Sequence, residues 1–214
     1  LNNLIIYGGT FDPIHCGHLA IARHIQTLCH FDRFVFLPCQ QNILKNRPSA
    51  SAVNRVHMIE LGLNEYNLNP DIFKIDTREI IRQTPSYMVK TLEDFRAKLG
   101  NDLPITLLLG ADCLKHLSSW YQWQKLITLG NLLIIDRPHS ATPDKSITTF
   151  LKPFVTGDLS TLLTKTKKYV CFYNAGRYDI SSTNIRHAIK SNDKKHIYLP
   201  KTVFEYIKIH QLYC

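Results

Sequence analysis

Short apolar runs alternate along the chain with longer stretches whose apolar residues return every three or four positions. Residues 4–7 form the first run and end in Gly8-Gly9, which predicts a buried strand followed by a tight turn. From 17 to 29, Leu19, Ala20, Ala22, Ile25 and Leu28 carry helical spacing. Further strands are expected over 34–37, stopped by Pro38, weakly over 73–76, and over 105–109, 132–136 and 169–173. Further helices are expected over 53–63, over 87–99 with Ser86 as a cap, from Ser181 or Ser182 to about Ser191, and over 203–209. In the 87–99 helix, Met88, Leu92, Phe95 and Leu99 fall on one side. The polar stretch 38–51 reads as a loop long enough to suspect a function, and 138–167, the least regular part, as a surface insertion. Strands separated by helices predict a parallel α/β sheet, and no linker divides the chain, so 1–214 is expected to be a single domain.

Composition narrows the class. With 44% hydrophobic and 20% charged residues over 214 positions, the chain is neither a disordered tail nor a fibre. The net charge of +9 is uneven: residues 1–107 hold 11 basic and 10 acidic side chains, residues 108–214 hold 15 and 7. A basic half suggests an anionic partner such as a nucleotide, a nucleic acid or a membrane surface, although scattered lysines also simply solvate a face. The six cysteines, at 16, 29, 39, 113, 171 and 214, are widely spaced with no C-x-x-C, which fits reduced thiols in a cytoplasmic protein better than a disulfide or zinc scaffold. No signal-like segment and no stretch of 18 apolar residues occurs, so no membrane partner is expected.

The chemistry gathers after the first strand, in Gly8-Gly9-Thr10-Phe11-Asp12-Pro13-Ile14-His15-Cys16-Gly17-His18. Ligands of open parallel sheets bind at the carboxyl ends of the strands. There, Gly8 and Gly9 would allow close approach of a phosphate, and the helix starting near Gly17 aims free N–H groups at it. His15 and His18 are three apart and can face one anion, with Gly17 leaving room between them for a base or ribose. The segment is neither a phosphate-binding P-loop nor a dinucleotide fingerprint. Two histidines three apart can also bind a metal or form a satisfied structural pair, but no third and fourth metal ligand stands out at recognisable spacing. Near the other end, Ile180-Ser181-Ser182-Thr183-Asn184-Ile185-Arg186 places hydroxyls at a helix N-terminus with a guanidinium one turn on, again suited to phosphate.

Together these two segments resemble the paired signatures of the H-x-G-H nucleotidyltransferase superfamily, and within it the bacterial nicotinate mononucleotide adenylyltransferases. The resemblance runs nearly the full chain, through Arg55-Val56-His57-Met58, Pro85-Ser86-Tyr87, Thr91-Leu92, Gly110-Ala111-Asp112, Trp120-Tyr121 and Arg137-Pro138. It implies a Rossmann-like, open, mostly parallel twisted sheet of order 3-2-1-4-5 with helices on both faces and the part from about 180 to 214 packed on it. It implies adenylyl transfer from ATP, with Mg²⁺ held by the phosphates rather than by protein, to nicotinate mononucleotide, giving deamido-NAD and pyrophosphate. The implied catalytic residues are His15, His18 and Arg186. ATP would be held by Gly8, Gly9, Thr10, Phe11, Ser182, Thr183 and Arg186. Nicotinate mononucleotide would be held by Lys45, Tyr87, Met88, Asp112, Trp120 and Tyr121, with Trp120 stacked on the pyridine ring, Asp112 on a ribose hydroxyl and the Tyr121 N–H on the carboxylate.

Two departures stand out. The family's loop usually reads Pro-Pro-His-Lys/Arg where this chain has Asn42-Ile43-Leu44-Lys45, and its Ser-Tyr-Thr is here Ser86-Tyr87-Met88. Met88 offers no hydroxyl, so only backbone N–H groups remain there to meet an acid. A nicotinamide-preferring enzyme, a cytidylyltransferase and a phosphopantetheine adenylyltransferase share the first signature. A basic nucleic-acid-binding protein is the alternative outside enzymes, but Lys165, Lys167, Lys168, Lys190, Lys194 and Lys195 accompany no recognised binding motif. Nucleic acid is therefore not an expected partner, whereas self-association remains possible.

Overall fold

A computed structural model describes residues 1–40, 48–82, 85–136, 144–176, 180–193 and 197–214. In chain order the main elements are β1 (Leu4–Gly9), α1 (Cys16–Cys29), β2 (Arg33–Pro38), α2 (Ala52–Glu65), β3 (Phe73–Ile75), α3 (Arg78–Ile81), α4 (Met88–Leu99), β4 (Ile105–Gly110), α5 (Ala111–Leu114), α6 (Leu126–Leu129), β5 (Asn131–Asp136), α7 (Lys145–Leu151), α8 (Thr161–Thr164), β6 (Val170–Asn174), α9 (Ser182–Lys190) and α10 (Lys201–Ile209). The six strands form one sheet of order β3-β2-β1-β4-β5-β6. Every neighbouring pair is parallel. The expected order is therefore found, with β6 added beyond β5. This is a Rossmann-like α/β architecture.

The reason lies in strands such as β1. Its residues are apolar on both sides of the pleat, and successive side chains point to opposite faces. Ile5 and Tyr7 enter one core with Leu19, Ala22 and Ile25 of α1, Met58 and Ile59 of α2, and Val203 and Ile207 of α10. Leu4 and Ile6 enter the other with Val89, Leu92 and Phe95 of α4, Ile127 of α6 and Ile147 of α7. A strand buried on both faces suits the interior of such a sheet, and β1 is where the chain order reverses: β2 and β3 lie to one side, β4 to β6 to the other. The carboxyl ends of β1 and β4, Gly8-Gly9 and Gly110, thus flank the crevice where such sheets bind ligands.

Four sequence expectations change. Residues 144–167 are not a surface insertion: Ile147 and Leu151 enter one core and Leu162 the other. Helices of seven and four residues are too short to show a helical period, yet each anchors on one or two aliphatic side chains. Ser86 does not cap α4. Tyr87 holds the cap position in extended conformation with no side-chain bond to the first turn. The buried side of α4 is Val89, Leu92 and Phe95, while Met88 and Leu99 are half-buried. Leu28 points outward at 45% exposure, and Ile21 takes the inward position in α1.

The helical end of the chain is tied down by polar contacts. Glu65, the last residue of α2, accepts the Lys201 and Thr202 N–H groups at 2.8 and 2.7 Å, capping α10 in place of Pro200. The Tyr206 hydroxyl donates to Asn54 Oδ1 at 3.0 Å, again joining α10 to α2.

Candidate active site

The loop from Thr10 to Ile14 carries the chain from β1 into α1, and it is shaped by aromatic packing. Phe11 adopts φ +49° and its ring stands 5.6 Å from that of Tyr7, 5.6 Å from Phe36 and 5.1 Å from His18. A side chain at Gly9 would place its Cβ 2.9 Å from the Phe11 ring, so a larger residue there requires the ring to shift. The space of a Gly17 side chain is likewise taken up, with His15 Nδ1 3.1 Å from the Cβ position. Gly17 therefore makes room for an imidazole rather than for a base or ribose.

His15 and His18 form a reciprocal cap on α1. His15 Nδ1 accepts the His18 N–H, and His18 Nδ1 accepts the His15 N–H, both at 3.3 Å. The rings stack with centroids 3.6 Å apart and planes 20° from parallel. A ring nitrogen that accepts an N–H carries no proton of its own, so these bonds assign both imidazoles as Nε2–H donors. His15 is buried and His18 half-buried.

The second signature docks on the same loop. Ser182 Oγ donates to the Pro13 carbonyl at 2.9 Å, and Arg186 donates from Nη1 to the Asp12 carbonyl at 2.7 Å and from Nη2 to Thr183 Oγ1 at 3.3 Å. Ser181 caps α9 by accepting the Asn184 N–H. The N-termini of α1 and α9 thereby meet around residues 12–15, and their first-turn N–H groups make this end electropositive.

Asp12 is the hub beneath them. Its buried carboxylate accepts the Ser49 N–H at 2.8 Å, the Ala50 N–H at 3.0 Å and the Tyr213 hydroxyl at 2.8 Å, and its Oδ2 lies 3.9 Å from Arg186. Burial, and then the Asp12 charge, push the Tyr213 hydroxyl far above the usual phenol range. Arg55, fully buried, donates to the Thr10 carbonyl at 2.6 Å and to the Gln40 carbonyl at 3.2 Å. Its burial lowers its pKa, an effect that Cys39 and Asp12 oppose. Arg55 thus fixes the loop backbone from inside.

Beside this electropositive end lies a cavity of about 180 Å³. Its wall includes Tyr87, Met88, Trp120 and Tyr121, four of the six residues expected to hold the mononucleotide, and Gly8, Gly9 and Thr10, three of the seven expected to hold ATP. The Tyr87 and Tyr121 rings stand 4.8 Å apart. Trp120 is held by backbone bonds in a pair of short turns, Leu117–Ser119 and Trp123–Lys125, and packs against the second core. His15, His18, Arg186, Ser182 and Thr183 cluster outside the cavity wall. Asp112 is exposed in the first turn of α5 and is not brought to the cavity wall either. Lys45 and the Arg137-Pro138 pair lie outside the described residues.

The sequence reading assigned no role to Asp12 itself, Arg55, Cys39, Glu79 or Tyr213. Asp12 and Arg55 stood inside matched segments, where a buried charge could have been asked about. Nothing local marks Glu79 or Tyr213.

Residues 6–188 match the cytidylyltransferase-like family. A protein of Legionella pneumophila (strain Paris) is 44% identical over all of both chains, and one of Marinomonas sp. (strain MWYL1) is 34% identical over 100% of this chain and 95% of its own; both are named probable nicotinate-nucleotide adenylyltransferase. The chain is a member of the nicotinate-nucleotide adenylyltransferase family. Among solved structures, nicotinic acid mononucleotide adenylyltransferase of Plasmodium falciparum complexed with NaAD superposes with TM-score 0.74 at 23% identity, covering 100% of this chain and 98% of that one. That likeness shows that this member of the family shares the fold. No helix among the described residues is long and apolar enough to cross a membrane.

Proposed function

We propose that this protein transfers the adenylyl group of ATP to nicotinate mononucleotide, forming deamido-NAD and releasing pyrophosphate. The observation that carries the reading is the juxtaposition at the β1–β4 switch point. An aromatic cavity opens on Gly8-Gly9 beside two stacked imidazoles and the meeting N-termini of α1 and α9. The acceptor phosphate oxygen attacks the α-phosphorus, a new P–O bond forms, and the bond to the bridging oxygen of the leaving pyrophosphate breaks. A phosphate monoester has its second pKa near 6, so at neutral pH the nucleophile is largely ionised and needs no general base. His15 and His18 then serve as neutral Nε2–H donors, and Arg186 as a cationic one, to charge that grows on the α-phosphate and the leaving group. Positioning two substrates in line supplies a further ~7–11 kcal/mol.

In this reading Ser182 and Thr183 present first-turn N–H groups to the phosphates, and Thr10 and Phe11 form the floor beneath them. The pyridine ring stacks on Trp120. Met88 cannot bond a carboxylate through its side chain. α4, however, has no side-chain cap, so the N–H groups of its first turn beside Tyr87 and Met88 are the donors for an acid, with the Tyr121 N–H opposite. Lys45 contacts phosphate, and Asp112 receives a ribose hydroxyl at the exposed rim. The side chains assigned to the phosphates are N–H and O–H donors, and the buried carboxylate of Asp12 is already taken up by protein donors. A divalent ion such as Mg²⁺ would therefore be held by the triphosphate and would neutralise its charge. We read residues 1–214 as one catalytic unit in the cytoplasm, supported by the six free thiols and by the bonds of α10 and Tyr213 back to α2 and Asp12. The test is product identification by mass spectrometry after incubation with ATP, Mg²⁺ and nicotinate mononucleotide. Deamido-NAD in equal amount to pyrophosphate is expected, and its absence refutes the reading.

A further inference from the structure

After α10 the chain folds back to reach the loop between β1 and α1. The Gln211 N–H donates to the Lys208 carbonyl at 3.3 Å and the Leu212 N–H to the Ile207 carbonyl at 3.0 Å, which closes the helix. Gln211 and Tyr213 adopt φ of +51° and +67°. Left-handed backbone is uncommon for any residue but glycine and an outlier for a bulky ring, and it persists only where the surroundings enforce it. Here it delivers one group. The half-buried Tyr213 ring packs against the first core, and its hydroxyl donates to Asp12 Oδ1 at 2.8 Å. A hydroxyl facing an ionised carboxylate gives its single hydrogen to it.

Asp12 is held at both its side chain and its backbone. The carboxylate accepts from Tyr213 and from the Ser49 and Ala50 N–H groups just before α2. The backbone carbonyl accepts from Arg186 Nη1 at 2.7 Å, and Oδ2 lies 3.9 Å from the same nitrogen. Residue 12 therefore aims the guanidinium, and the carboxylate bonds aim residue 12. Among the described residues, Tyr213 is the one side chain that donates a hydrogen bond to this carboxylate. A carboxylate that loses the hydroxyl is free to turn and pair with Nη1, taking up charge otherwise offered to phosphate. We propose that Tyr213 is a positioning residue for ATP, holding Arg186 toward the phosphates through Asp12. This role rests on the functional reading above, in which Arg186 meets the phosphates. It extends ATP recognition to a residue 201 positions from the loop it steadies.

Tyr213→Phe keeps the ring and deletes the hydroxyl. Losing a hydrogen bond to a charged group corresponds to a change of about 10-fold or more in equilibrium. We expect kcat/KM for ATP to fall by about that factor, while KM for nicotinate mononucleotide stays within about twofold. ATP affinity, measured by calorimetry with Mg²⁺ and without acceptor, should weaken alongside. Asp12→Asn should weaken ATP in the same selective way, and it keeps the test decisive if Tyr213→Phe fails to fold. A double-mutant cycle separates this role from a mere staple on α10. In an Arg186→Ala background, adding Tyr213→Phe should change ATP affinity by less than about twofold, because the cation it steadies is gone. Wild-type protein that does not bind ATP overturns the functional reading and this inference with it. If wild type binds ATP, three results overturn the inference alone: folded variants whose Tm falls with ATP affinity unmoved, equal losses for both substrates, or an undiminished effect of Tyr213→Phe without Arg186.

Discussion

His18→Ala separates the stabilising and chemical parts of the imidazole pair. In the native structure the His18 ring accepts the His15 N–H at 3.3 Å, stacks on His15 at 3.6 Å and meets Phe11 at 5.1 Å. Losing a helix cap costs about 1 kcal/mol, and losing a ring contact of this kind about 1 kcal/mol more. For a chain of this size ~2 kcal/mol lowers Tm by about 4–8 °C. The same substitution deletes one Nε2–H donor. By analogy with removal of a single donor from an oxyanion hole, that costs about 2.7–4 kcal/mol in the transition state, or about 10²–10³ in kcat. His18→Asn distinguishes the two: its Oδ1 can take over the acceptor role of Nδ1, but nothing replaces Nε2. The asparagine variant should therefore melt close to wild type and turn over as poorly as the alanine variant. The assay is pyrophosphate release at saturating substrates, paired with thermal unfolding. A folded variant of either kind with near-normal kcat refutes the donor role, and recovery of activity together with stability in His18→Asn would show that the pair is only a cap.

Other consequences follow from the same structure. Trp120→Ala should raise KM for the pyridine mononucleotide far more than KM for ATP in steady-state kinetics, and equal effects would refute the stacking role. A Cβ at Gly130 would lie 2.8 Å from the Ile105 carbonyl oxygen, a backbone atom that cannot swing away. Gly130→Ala should accordingly destabilise by about 1–3 kcal/mol in chemical denaturation, with both KM values unchanged. Burial, which raises the Glu65 pKa, is outweighed by the bonds from Thr202 and Lys201 that lower it. Its folded pKa thus lies below its unfolded one, so the cap on α10 is present above the usual carboxylate range and fades as pH falls through the lowered pKa. Glu65→Ala should cost about 1 kcal/mol at neutral pH, and the gap to wild type should close in acid. A gap that persists after the Glu65 carboxylate is fully protonated would contradict that origin.

How much was legible beforehand depended on how far apart the determining residues stand. β1 and β4 announce themselves because a strand buried on both faces is largely apolar, with Thr106 the one polar residue in β4, and α1 because its period is sustained over 14 residues. The two signatures were legible as local patterns, and the fold brings them together at Asp12–Arg186 and Pro13–Ser182. The short helices between β4 and β5 were not legible, since four residues hold no period. Leu28 carries the right spacing yet lies outside, because Ile21 and Ile25 already fill that side of the core. Tyr213 reaches Asp12 across 201 positions, and Glu79 reaches Thr91 through a hydroxyl, so neither partnership leaves a mark in sequence spacing. Asp112 shows the reverse: its place after β4 was foreseen, but the turn of α5 that follows leaves its side chain exposed and off the cavity wall.

The most direct test of the account is pyrophosphate release with ATP and Mg²⁺, run with nicotinate mononucleotide and nicotinamide mononucleotide side by side. The account predicts release with a strong preference for the acid, carried by backbone donors beside Met88. Preference for the amide would leave the fold and the phosphate chemistry in place but contradict the assignment of the start of α4 as a carboxylate site, and no release with either would contradict the proposed reaction itself.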